Sequence, residues 1–69
     1  MKQYIYNIYN FLNNTKGEIY DYELKFICES LEIDYEKTTI EQFKKLNELI
    51  ETGDREEEFY DYLISMKEV

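Results

Sequence analysis

Polar residues Gln3, Asn7, Asn10 and Asn14 recur at i, i+4, i+7 and i+11, a single helical stripe. Almost everything between them is apolar: Tyr4, Ile5, Tyr6, Ile8, Tyr9, Phe11 and Leu12. The spacing predicts a helix over about Lys2–Asn13, apolar around most of its circumference and therefore central or covered by a partner. A second helix is expected over about Lys16–Leu31. Thr15 and Glu18 have the spacing of a capping box, and Tyr20, Leu24, Ile27 and Leu31 form the apolar face. The same stretch also alternates, with Tyr20, Tyr22, Leu24 and Phe26 separated by Asp21, Glu23 and Lys25, as a half-buried strand would. Asn13–Gly17 would then be a hairpin turn. The longer run of the 3.6 period favours helix.

Two further helices follow. Thr38 with Glu41 predicts a cap for a helix over about Thr39–Thr52, its face formed by Ile40, Phe43, Leu46, Leu49 and Ile50, with Gly53 stopping it. Asp54 is the expected N-cap of a helix over about Arg55–Lys67, with Glu57 at the box position and Phe59, Leu63 and Met66 facing inward. The expected fold is all-α, a bundle of four short helices in one domain over 1–69. The alternative is α+β, an N-terminal β-hairpin followed by two helices.

Composition narrows the chemistry. The 69 residues contain no His and one Cys, which leaves no intrachain disulfide and no ordinary zinc site, and no cofactor is expected. Cys28 falls on the apolar side of the second helix and reads as a small core residue. The carboxylates sit in stripes that look exposed, whereas acid–base catalysis needs one of them buried. Asp34 and Glu36 lack the spacing of a calcium loop. The chain is therefore expected not to be an enzyme. No apolar run approaches a membrane span and none resembles a signal peptide, so a cytoplasmic protein is expected, with no membrane contact.

Charge adds the strongest functional hint. Residues 1–17 hold no Asp or Glu, while residues 18–69 hold all 16 acids against six bases, a net −10 in a chain of −8. Such a field repels nucleic acid and attracts basic surfaces. Asp54, Glu57, Glu58 and Asp61 recur at i, i+3, i+4 and i+7, with Glu51 before them, Glu56 beside them and only Arg55 interrupting. A second acidic set comprises Glu18, Asp21, Glu23, Glu29, Glu32, Asp34 and Glu36. The two sets merge if the second and fourth helices lie side by side. Tyr4, Tyr6, Tyr9 and Phe11 of the acid-free first helix are candidate contacts of a homodimer, because like-charged subunits join where charge is lowest.

Size, acidity, helix content and the acidic-aromatic segment Asp54–Tyr62 together resemble small phage-encoded DNA mimics. These inhibit host DNA-binding proteins: nucleoid proteins such as HU, restriction enzymes, or CRISPR effectors in the case of anti-CRISPRs. The resemblance covers residues 18–69 by composition and rests on no diagnostic motif. It implies a stoichiometric inhibitor that meets a basic DNA-binding protein of a bacterial host in that host's cytoplasm, with HU as the leading target. Two other classes share parts of this profile: a bacteriocin-type immunity protein, and a structural or adaptor module docking through its Tyr-rich first helix.

Overall fold

The computed structural model describes residues 2–15 and 18–67. They form α1 (Lys2–Thr15), α2 (Asp21–Leu31), a 3₁₀ turn (Tyr35–Lys37), α3 (Ile40–Glu51) and α4 (Glu56–Lys67), with no strand among them. The all-α four-helix bundle is the architecture, and the hairpin alternative is excluded. The reason lies in what α2 buries. Leu24, Ile27, Cys28 and Leu31 reach the core at i, i+3, i+4 and i+7, while the alternating aromatics Tyr20, Tyr22 and Phe26 stay exposed.

Backbone packing centres on α4, which lies against both α1 and α3, while α1 also meets α3. The core joins Ile5, Tyr9 and Leu12 of α1 and the α2 stripe to Leu46, Leu49 and Ile50 of α3 and Phe59, Leu63 and Met66 of α4. Burying each such side chain stabilises the fold by about 1.5–3 kcal/mol relative to leaving it in water. Ile19 and Ile33, from the connections on either side of α2, close the core at its edges.

Helix boundaries depart from the sequence reading in four places. First, α1 runs to Thr15 rather than ending near Asn13, because the Asn13 Nδ2 donates to the Ile50 carbonyl at 2.6 Å and ties down the last turn. Thr15 is thus the end of α1, where its Oγ1 donates to the Phe11 carbonyl, and the N-cap of α2 is Tyr20 instead. Second, α2 begins at Asp21, five residues after the expected Lys16. Ile19 has to be buried, and its N–H donates to Asn47 Oδ1 at 2.7 Å, which holds the chain extended before the helix. The helix is capped from Glu23, whose carboxylate accepts the Tyr20 N–H at 2.8 Å. The expected start at Lys16 and the turn residue Gly17 lie outside the described residues.

Third, the α3 capping box is Thr39 with Gln42, one residue on from Thr38 with Glu41. Thr38 is already committed to the preceding turn, its Oγ1 donating to the Tyr35 carbonyl at 2.8 Å. Fourth, Asp54 is not the N-cap of α4. Gly53 and Asp54 are both left-handed, at φ 67 and 53, so Arg55 becomes the residue before the helix and its carbonyl accepts the Phe59 N–H. Gly53 does stop α3 as expected, its N–H donating to the Ile50 carbonyl.

Candidate functional site

The α4 acid row is built by the packing of the opposite side of the helix. With Phe59, Leu63 and Met66 locked in the core, Glu57, Glu58 and Asp61 are left exposed on the outer face and Glu56 half-buried at its start. Exposed Glu51 and Asp54 extend the row through the α3–α4 turn. Two of these carboxylates are held by the protein's own cations. Lys2 Nζ lies 2.9 Å from Glu57, which also accepts a hydrogen bond from the Tyr6 hydroxyl. Arg55 pairs with Glu58 one turn away. Glu51, Asp54, Glu56 and Asp61 enter no ion pair among the described residues.

These contacts perturb the ionisation of the groups involved. The hydrogen bonds from Tyr6 and then Lys2 hold the Glu57 carboxyl below the usual carboxylate range, and the Arg55 guanidinium does the same for Glu58. The Tyr6 phenol and the Lys2 ammonium are pushed up in turn by their hydrogen bonds to Glu57. Lys2 also stands over the rings of Tyr6 and Tyr60, at 5.8 and 5.3 Å from their centroids, and those two rings meet edge to face. The α1–α4 seam is therefore a small network in which Lys2, Tyr6, Tyr60 and Glu57 fix one another.

The second acidic set is brought together only in part. Glu18 is exposed in the bend before α2, and Asp21 and Glu29 are exposed on α2. Asp34 caps the 3₁₀ turn by accepting the Glu36 N–H at 3.1 Å, with Glu36 exposed beside it. Glu32 ends α2 in the left-handed region at φ 61 and sits 3.9 Å from Lys67. That long pair links the C-terminal ends of α2 and α4, which do not pack side by side. Glu57 lies ten residues from Lys67 along α4, about 15 Å of axis. The side-by-side packing of α2 and α4 through which the two sets were expected to merge is thus not made, while Glu18 adjoins Ile19, whose N–H is held by Asn47 of α3 one turn before Glu51.

The first-helix aromatics divide as well. Tyr9 is a core residue at 1% exposure, so it is not available to a partner. Its hydroxyl donates to the Leu49 carbonyl at 2.8 Å and accepts the Arg55 N–H at 2.9 Å. Tyr6 is occupied at the α4 seam. Tyr4 and Phe11 are exposed, at 38% and 60%, and they have neighbours that sequence reasoning missed. Tyr22 and Phe26 of α2 are 68% and 57% exposed, and they face Tyr4, Ile8 and Phe11 across a groove of about 310 Å³. The Tyr4 and Phe26 rings are 6.2 Å apart. The sequence did carry a signal for this groove. The strand-like alternation of α2 arises because Tyr22 and Phe26 are large aromatics placed off the buried stripe.

Two features bear on chemistry. Cys28 is fully buried, and that burial pushes its thiol above the ordinary value. Among the described residues no group of three or more Cys, Asp or Glu is placed to hold a metal ion, and no helix is long and apolar enough to cross a membrane. Comparison with protein-family models, with curated proteins and with solved structures finds no match to this chain.

Proposed function

We propose that this protein is a stoichiometric inhibitor that occupies the DNA-binding surface of a basic bacterial protein, using α4 and the α3–α4 turn in place of DNA. The observation that carries the reading is linear charge density. Glu56, Glu57, Glu58 and Asp61 lie within about 7.5 Å of helix axis, roughly one carboxylate per 2 Å, against one charge per ~1.7 Å of duplex DNA. The row stands on a helix anchored by three buried side chains, so the backbone that spaces the charges is set before a partner arrives. Lys2 and Arg55 neutralise part of it, yet the side chains of Glu57 and Glu58 keep 63% and 57% exposure and stay open to a partner's Lys or Arg.

The test is displacement of DNA. A labelled duplex is bound to a purified basic DNA-binding protein, with the dimeric nucleoid protein HU as the first choice, and this chain is titrated in. Release of the duplex is expected, at one fixed salt concentration because salt alone weakens the DNA complex. Glu51→Lys, Glu56→Lys and Asp61→Lys together reverse three charges that make no ion pair among the described residues, so the fold should survive and the release should be lost. If the triple variant displaces DNA as well as the wild type, the acid row is not the contact. If neither HU nor other purified basic DNA-binding proteins release the duplex, the mimic reading falls.

A further inference from the structure

The aromatic groove between α1 and α2 lies apart from the acid row. On α1, Lys2 and Tyr6 face α4, whereas Tyr4, Ile8 and Phe11 line the groove on the other flank of the helix. We propose that this groove is a self-association surface, and that its occupant is the same surface of a second copy of this chain. The inference is independent of DNA mimicry.

Charge selects the occupant. Two bodies of net −8 repel, so copies join most readily where acids are fewest. Helix α1 carries none between Lys2 and Thr15, and its polar positions beside the groove are neutral amides such as Asn7. Among the described residues the one charged residue lining the groove is Glu23, whose carboxylate accepts the Tyr20 N–H at the start of α2. A basic partner would find little to pair with here and would be drawn to α4 instead. A second copy brings an equally aromatic face, with α1 free of acids and the exposed Asp21, Lys25 and Glu29 of α2 outside the groove lining.

Area is consistent with that choice. A buried Phe or Tyr covers about 150–250 Å². At the observed exposures, Tyr4, Phe11, Tyr22 and Phe26 offer roughly 330–560 Å² per copy. A standard interface takes about 800 Å² from each partner, so the four rings supply around half and their flanks complete it. Exposed rings in such a patch are the residue type that anchors interfaces. A two-fold contact is self-complementary and closes as a dimer, setting Phe11 of each copy against the groove of the other.

Sedimentation equilibrium on the full chain tests this. The mass is expected to rise from 8.5 kDa toward twice that value between about 5 µM and about 500 µM. The rise should shift to lower concentration when sodium chloride goes from about 0.1 M to about 0.5 M, because screening relieves the repulsion between copies. Phe11→Glu and Phe26→Glu each place a carboxylate at a site already more than half exposed, and both should stay at 8.5 kDa throughout with unchanged helix content. Phe11→Ser and Phe26→Ser read the same contact if a Glu variant loses its helix signal. Ile40→Glu changes an equally apolar residue, 77% exposed and outside the groove, and should associate like the wild type. A wild type that stays monomeric, groove variants that associate normally, or association that weakens with salt would each overturn the proposal.

Discussion

Tyr9 reaches across the core with a polar atom at its tip, and that atom completes two backbone groups that the helix ends leave open. Past its end α3 has no further turn to take up the Leu49 carbonyl, and the Arg55 N–H precedes the first turn of α4. One hydroxyl accepts from Arg55 and donates to Leu49, so it joins the α3–α4 turn to α1. Tyr9→Phe keeps the packing against Phe59, whose ring is 5.3 Å away, and removes only the oxygen. The Arg55 N–H then loses its partner in a part-buried site, while Leu49 keeps a bond from the Thr52 hydroxyl at 3.2 Å. The expected cost is about 1–3 kcal/mol, read from the urea midpoint with the slope unchanged. A cost near zero would mean that water reaches the turn and replaces the hydroxyl. Sequence periodicity could mark Tyr9 as apolar, but not as a residue whose oxygen is used inside. That requires knowing that residues 40 and 46 positions away converge on it.

At the level of elements, all four helices were legible in the sequence, because each carries an apolar stripe at the 3.6 period. Their ends were less so, for a common reason. Two overlapping registers, Thr38–Glu41 and Thr39–Gln42, satisfy the same capping pattern, and the neighbouring 3₁₀ turn claims Thr38 first. The late start of α2 is set by Asn47, a residue on another helix. Candidate sites followed the same division. The acid row on α4 could be read from spacing alone, whereas the groove depends on α2 lying across from α1. The C-terminus of α2 is an element-level weak point. Glu32 occupies a left-handed position that favours Gly, and it puts a negative charge at the negative end of the helix dipole. Its pairing with Lys67 is long and exposed, and contributes little. Glu32→Gly is therefore expected to raise stability by about 0.5–1 kcal/mol in urea unfolding. A loss of stability would show that the Lys67 contact outweighs both terms.

For the whole molecule the decisive quantity is the balance between a few ion pairs and general self-repulsion. The ion pairs among the described residues are exposed, a type that contributes about 0–1 kcal/mol each. Against them stands an excess of eight negative charges on a body whose longest extent is 28 Å. At about 0.01 M salt the Debye length is ~30 Å, so every carboxylate feels every other; at about 1 M it is ~3 Å, shorter than the roughly 5–6 Å between the Cβ atoms of residues a helical turn apart. Screening therefore removes far more repulsion than attraction. The midpoint of thermal unfolding is expected to rise by several degrees as sodium chloride increases over that range. Sodium chloride is the proper probe, since sulfate would add its own stabilisation through exclusion from the surface. The measurement belongs at a dilution where sedimentation gives 8.5 kDa, so that any pairing of copies does not add to the effect. A midpoint that falls with salt would mean that the Lys2–Glu57 and Arg55–Glu58 contacts outweigh the repulsion. Glu57 and Glu58 would then be neutralised in the free protein, and their share of the charge density that underlies the mimic reading would be available only to a partner able to displace Lys2 and Arg55.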